Sequence, residues 1–247
     1  MPASQTAAAP GRVFLTTHWS VVLAAQHGTA VTAANALETL CRHYWYPLYA
    51  YVRRRGHAPH DAQDLTQGFF CRLLEKQWLD AADREKGKLR SFLITALKYY
   101  MANEWRHAAT QRHGGAHELV QFDTSYAEDR LTVAPPPGLT ADATYDREWA
   151  LLLLERTVER LRAGFAAAGR AQDFDALKDC LMAERGALDY AAIAVRLGAT
   201  AGAARVAVHR LRKQFREVFR AEIAQTLAPD GDIEEEMRHL AAALSAV

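Results

Sequence analysis

Residues 199–220 read ATAGAARVAVHRLRKQFREVFR, and the residue types and their spacing suit a polyanion. Arg205, Arg210, Arg212, Lys213, Arg216 and Arg220 stand against a single acid, Glu217. Guanidinium forks donate paired hydrogen bonds to phosphate oxygens or to the O6 and N7 edge of guanine. Wound as a helix, the stretch places Ala204, Val208, Leu211, Phe215, Val218 and Phe219 on one apolar stripe. The other side carries Arg205, Val206, His209, Lys213, Arg216 and Arg220, with Gly202 and Ala203 at the leading end. Small residues at that tip let the backbone approach base edges, and Val206 offers a contact for a thymine methyl. The chemistry expected is DNA contact by a helix in the major groove, through Thr200, Gly202, Ala203, Arg205, Val206, His209, Arg210, Arg212, Lys213 and Arg216.

No other constellation points to catalysis. His57 and His60 precede Asp61, and His107, His113 and His117 form a loose group, but no HExxH spacing occurs. GGAH at 114–117 does not lead into a helix, so it is no phosphate loop, and no nucleophile elbow is present. Cys41, Cys71 and Cys180 are too far apart for a metal-type pair or a disulfide framework. The expectation is a protein that is not an enzyme and holds no cofactor and no metal.

The basic helix needs a scaffold, and the preceding residues supply one. Residues 189–197 read DYAAIAVRL, a short helix with Ile193 and Leu197 inward. Gly198 suits a left-handed cap, and Thr200 suits an N-cap. Two helices joined by so short a glycine-containing turn form a helix-turn-helix pattern.

Elsewhere apolar residues also recur at helical spacing, and alternating strand patterns are absent. Helices are expected at 18–28, 31–55, 61–76 and 89–107, with Pro47 bending or dividing the second. Residues 108–143 break the pattern with a glycine pair, a triple proline (135–137) and scattered acids, so a linker is expected there. Helicity returns at 144–168, 173–184, 190–197 and 200–226, before an acidic-to-apolar tail. The fold class expected is all-α, with two small helical domains on a flexible acidic linker. The divisions are an N-terminal segment 1–30, a first domain 31–110, a linker 111–143, a second domain 144–226 and a tail 227–247.

Charge supports that division. The formal net charge over 247 residues is only +1, yet residues 114–148 hold seven acids against two arginines, while the 199–220 helix is strongly basic. The N-terminus lacks a basic stretch followed by an apolar one, and no run reaches the ~18–20 apolar residues of a membrane span. A soluble cytoplasmic protein with no membrane span is expected.

Two stretches carry a family resemblance. DAQDLTQGFFCRLLEK (61–76) resembles the core-polymerase-binding helix of bacterial sigma factors. YAAIAVRLGATAGAARVAVHRLRKQFRE (190–217) resembles their promoter-reading helix-turn-helix. The order and the linker are similar to the extracytoplasmic-function (ECF) group of RNA polymerase sigma factors. The run WYPLYAYVRRRGHAPHDAQDLTQGFF is similar to a subgroup with a long linker and a C-terminal tail. The resemblance spans roughly residues 37–222.

What the resemblance implies is specific. The face formed by Asp61, Asp64, Gln67, Gly68, Cys71 and Glu75 would meet the clamp helices of the polymerase β′ subunit, and the second domain the β flap. Gly68 stands where the family often has glutamate. The helix LRSFLITALKYYMANEWRHAA, with the loop at 80–88 before it, would read the −10 element through Lys88, Arg90, Ser91, Thr95, Lys98, Tyr99, Ala102, Asn103 and Arg106. Tyr99 replaces an expected asparagine and Asn103 an expected aspartate. The basic helix would read the −35 element, and the linker acids would mimic RNA in the polymerase exit path. Implied partners are core RNA polymerase, promoter DNA and an anti-sigma factor, in the bacterial cytoplasm at the nucleoid. A tail docked on the second domain would be a self-inhibitory device. The competing reading is a stand-alone dimeric helix-turn-helix regulator, paired through residues 234–244 or the LLLL run at 151–154.

Overall fold

The structure, a computed structural model, describes residues 30–74, 87–108, 124–133, 138–184 and 186–245. Those residues form nine α-helices and no strand. They are α1 (Ala30–Arg54), α2 (Pro59–Leu74), α3 (Leu89–Ala108), α4 (Thr124–Val133), α5 (Ala141–Ala167), α6 (Ala171–Leu177), α7 (Tyr190–Leu197), α8 (Ala201–Ala224) and α9 (Ile233–Ser245). A single 3₁₀ turn, Lys178–Cys180, follows α6. The helix expected at 18–28 lies outside the described residues.

Helix α1 carries Leu40, Tyr44, Leu48, Tyr51 and Val52 at helical spacing, and all are buried. It runs unbroken through Pro47, where a bend or division is expected from sequence. Pro47 is itself buried in the core, so packing on both sides holds the helix through the missing amide. Helix α2 buries Phe69, Phe70 and Leu73 against α1, and α3 buries Leu89, Leu93, Leu97 and Tyr100.

Two apolar clusters divide the molecule, and the division falls within α5 rather than in the linker. The first joins α1, α2 and α3 to Tyr145, Trp149 and Leu153 of α5, to Ile223 at the end of α8, and to Leu240 of α9. The second packs Leu161 at the far half of α5 with Phe174, Ile193, Ala204, Val208 and Leu211. Helix α5 therefore spans both. Tyr44 stacks on Trp149 with ring centroids 5.0 Å apart, which fixes α5 across α1.

The stretch expected to be a linker contains α4. Ala127 and Leu131, one turn apart, face the first cluster. Glu128 on the same helix accepts from Arg53 at 2.7 Å and from the Tyr49 hydroxyl, and the Arg130 guanidinium lies 4.3 Å from the Tyr46 ring centroid. Glycine and proline density marked the ends of this helix and masked its one apolar turn.

Candidate nucleic-acid interface

Helices α7 and α8 build an exposed basic surface. Asp189 caps α7, accepting from Ala191 N at 2.9 Å and Ala192 N at 3.1 Å. Gly198 ends it at φ 60°, ψ 35°, a left-handed conformation that favours glycine. Thr200 then caps α8, its hydroxyl accepting from Ala203 N at 3.2 Å. The two helices meet at 90°. Ala204, Val208 and Leu211 are buried, with Phe215 and Val218 packed beside them, as the apolar stripe requires.

The rest of α8 faces outward. Thr200, Gly202, Ala203, Arg205, Val206, His209, Arg210, Lys213 and Arg216 are all exposed, and Val206 keeps 48% of its surface. The Arg205 guanidinium lies 5.0 Å from the Tyr190 ring centroid, which fixes its direction without neutralising it. Arg205, His209 and Arg216 border an open cleft of about 700 Å³ between α8 and the loop after α6.

Arg212 departs from the expected set. Its guanidinium turns inward and donates to Cys180 O at 2.7 and 2.9 Å and to Ala183 O. It closes the C-terminal end of the 3₁₀ turn onto α8 and is not offered to DNA. Helical spacing alone placed it beside Lys213 and Arg216, and the inward turn depends on carbonyls some thirty residues away in sequence.

The helix expected to read the −10 element is α3. Ser91, Thr95, Tyr99 and Ala102 are exposed, Tyr99 at 59%, and Asn103 is half-buried. The described cations in and just before this helix are each paired with an acid. Arg90 donates from Nε to Glu236 at 2.6 Å and from Nη1 to Asp146 at 2.8 Å, and its side chain keeps only 12% of its surface. Lys88 lies 2.8 Å from Glu236 and 3.4 Å from Glu235, and Lys98 pairs with Asp142. The expected DNA-facing role of Arg90 and Lys88 is thus not met in this conformation, because acids of α5 and α9 reach them. The side chain of Arg106 and most of the loop at 80–88 lie outside the described residues.

On α2, Asp61 and Asp64 are exposed, and Gln67, Gly68 and Cys71 are half-buried; Glu75 lies outside the described residues. Gly68 has a structural reason. A Cβ there would meet the Tyr100 hydroxyl far inside van der Waals contact, so glycine lets α3 close on α2. Cys41, buried beneath α2, has its thiol pushed up to about 12 by burial and the nearby Cys71. It is an inert packing residue.

Four acids of the 114–148 stretch are engaged within the protein: Glu128, Asp142, Asp146 and Glu148 pair with Arg53, Lys98, Arg90 and Arg130 respectively. Among the described residues no group of His, Cys, Asp or Glu could hold a metal ion. No single described helix is long and apolar enough to cross a membrane.

Residues 40–111 match the family model described as Sigma-70 region 2. The match takes in α1 from Leu40, α2 and α3, the three helices that form the centre of the first apolar cluster. It supports a sigma-70-type sigma factor, a class that binds core RNA polymerase and promoter DNA in transcription initiation. No curated protein and no solved structure matches the chain.

Proposed function

We propose that this chain is a sigma factor of the ECF type that recruits core RNA polymerase and directs promoter-specific initiation. The exposed face of α2 meets the polymerase clamp, α3 reads the −10 element, and α7 with α8 forms a helix-turn-helix that reads the −35 element. One observation carries the reading. A single chain joins a Sigma-70 region 2 match to a separate helix pair, crossed at 90°, whose second helix exposes a basic face behind a small-residue tip. That face has the shape and charge for a major groove.

The stand-alone dimeric regulator has less support. Of the surfaces that would pair two copies, Leu240 of α9 and Leu153 of the LLLL run are both fully buried within one chain. Gel filtration with bacterial core polymerase tests the choice. Co-elution, lost in the Asp64→Ala/Gln67→Ala variant, is expected. A chain that ignores cognate core, elutes as a dimer and binds duplex DNA on its own overturns the proposal.

A further inference from the structure

The basic start of α3 is already occupied by the protein's own acids. Lys88, Arg90 and Lys98 each face a carboxylate from the C-terminal half of the chain. Helix α9 supplies the central contact. Asp232 caps it, accepting from Glu234 N at 2.9 Å and Glu235 N at 3.1 Å, so the first turn is fixed. Glu236 then projects into Arg90 and Lys88 with 1% of its side chain exposed. Leu240, one turn on, is fully buried, and Ile233, Met237 and Leu244 pack on the same cluster. Arg220 of α8 holds Glu234, and His239 lies 3.2 Å from Asp146, so α9 is fastened to α5 and α8 as well.

The amide of Leu89 donates to Thr226 O at 2.8 Å, which ties the start of α3 to the residues just beyond α8.

We propose that this conformation is a closed, self-inhibited state, and that α9 is the latch that holds acids of the C-terminal half against the basic start of α3. The proposal rests on the reading of α3 as a DNA-contacting helix. Core polymerase opens the latch only if it binds the open form more tightly, and the exposed face of α2 is available in the closed form to begin that encounter.

The test is anisotropy of a fluorescein-labelled 20-nucleotide single-stranded DNA of mixed sequence, titrated with the full chain at several salt concentrations. The Glu235→Gln/Glu236→Gln variant is expected to bind at least about tenfold more tightly than wild type, with a salt slope steeper by about 1.4 for two released cations. Leu240→Ala, which loosens α9 without touching a charge, is expected to move affinity in the same direction. Unchanged affinity and slope in both variants overturns the latch. So does loss of helical circular dichroism in both, because a latch that opens leaves its flanking helices folded. Co-elution of wild type with core polymerase is scored separately. If it holds while the variants bind DNA no better, the sigma reading stands and the latch falls; if it fails while the variants gain affinity, the reverse.

Discussion

The guanidinium of Arg90 sits between two carboxylates from distant parts of the chain, with Nε 2.6 Å from Glu236 and Nη1 2.8 Å from Asp146. Burial alone would raise the carboxyl of Glu236. Hydrogen bonds from Arg90 and Lys88, and their charge, outweigh that and hold it below its ordinary 4.5. A depressed carboxyl stabilises the fold fully above its unfolded value, and that contribution drains as pH falls through the folded value. Glu236→Gln is therefore expected to cost about 3 kcal/mol near neutral pH, much of it from leaving Arg90 and Lys88 poorly compensated. Thermal melts of wild type and variant from neutral to about pH 3 should show the gap closing in acid. A gap independent of pH would show that the ion pair is not its source.

Glu148 is expected to behave in the opposite way. It is fully buried on α5, with Arg130 at 3.4 Å and Arg147 at 3.5 Å. Burial raises its carboxyl, and the two arginines are too loosely placed to reverse the shift. A raised carboxyl favours the fold when protonated, and stability falls as pH rises through the folded value. Glutamine mimics the protonated form. Glu148→Gln should cost under about 1 kcal/mol near neutral pH, well below Glu236→Gln, and should flatten the decline on the alkaline side. The reverse ordering of the two variants in the same melts would refute this account.

These two glutamates mark the limit of what the sequence shows. The helices were legible because their apolar stripes are local: Leu89, Leu93, Leu97 and Tyr100 recur every three or four residues, and all four are buried. The capped turn was legible for the same reason, since Gly198 and Thr200 act on amides within a few residues. Helix α4 was hidden between proline and glycine signals because its stability comes from Arg53, Tyr49 and Tyr46 on α1, more than seventy residues away. The ion pairs of Lys88, Arg90 and Lys98 were hidden in the same way. Composition shows an excess of acid in the linker and of base elsewhere, but not which carboxylate reaches which cation. Spacing placed Arg90 on the DNA side, and only the folded arrangement of α5 and α9 turns it inward.

Gly68 and Tyr100 make a coupled pair that a double-mutant cycle can measure. Alanine at 68 should gain up to about 1 kcal/mol of helix propensity. Its Cβ would instead press the Tyr100 hydroxyl, and Tyr100 is too buried to swing aside. Gly68→Ala is expected to destabilise by about 1–3 kcal/mol in wild type. In a Tyr100→Phe background the hydroxyl is gone and the next atom, Cζ, lies at 3.3 Å. The same substitution should then be near neutral or stabilising, a coupling of about 1–2 kcal/mol. Additive effects in urea unfolding would mean that α2 and α3 do not pack this closely.

The arginines of α8 should separate into two kinds. Arg212 spends its donors on Cys180 O and Ala183 O and is half-buried, whereas Arg216 is exposed on the open basic face. Removing Arg212 strands two carbonyls and loosens the turn that leads to α7. Arg212→Ala is expected to lower stability by about 2 kcal/mol, and Arg212→Lys to recover little, because one ammonium cannot bridge both carbonyls in the same plane. Arg216→Ala should leave the melting curve within about 0.5 kcal/mol of wild type. It should instead weaken duplex DNA binding by the chain in complex with core polymerase and lower the salt slope by about 0.9, one phosphate contact. If Arg212→Ala melts like wild type yet loses DNA affinity as Arg216→Ala does, its guanidinium faces DNA after all, and the distinction drawn between the two side chains is wrong.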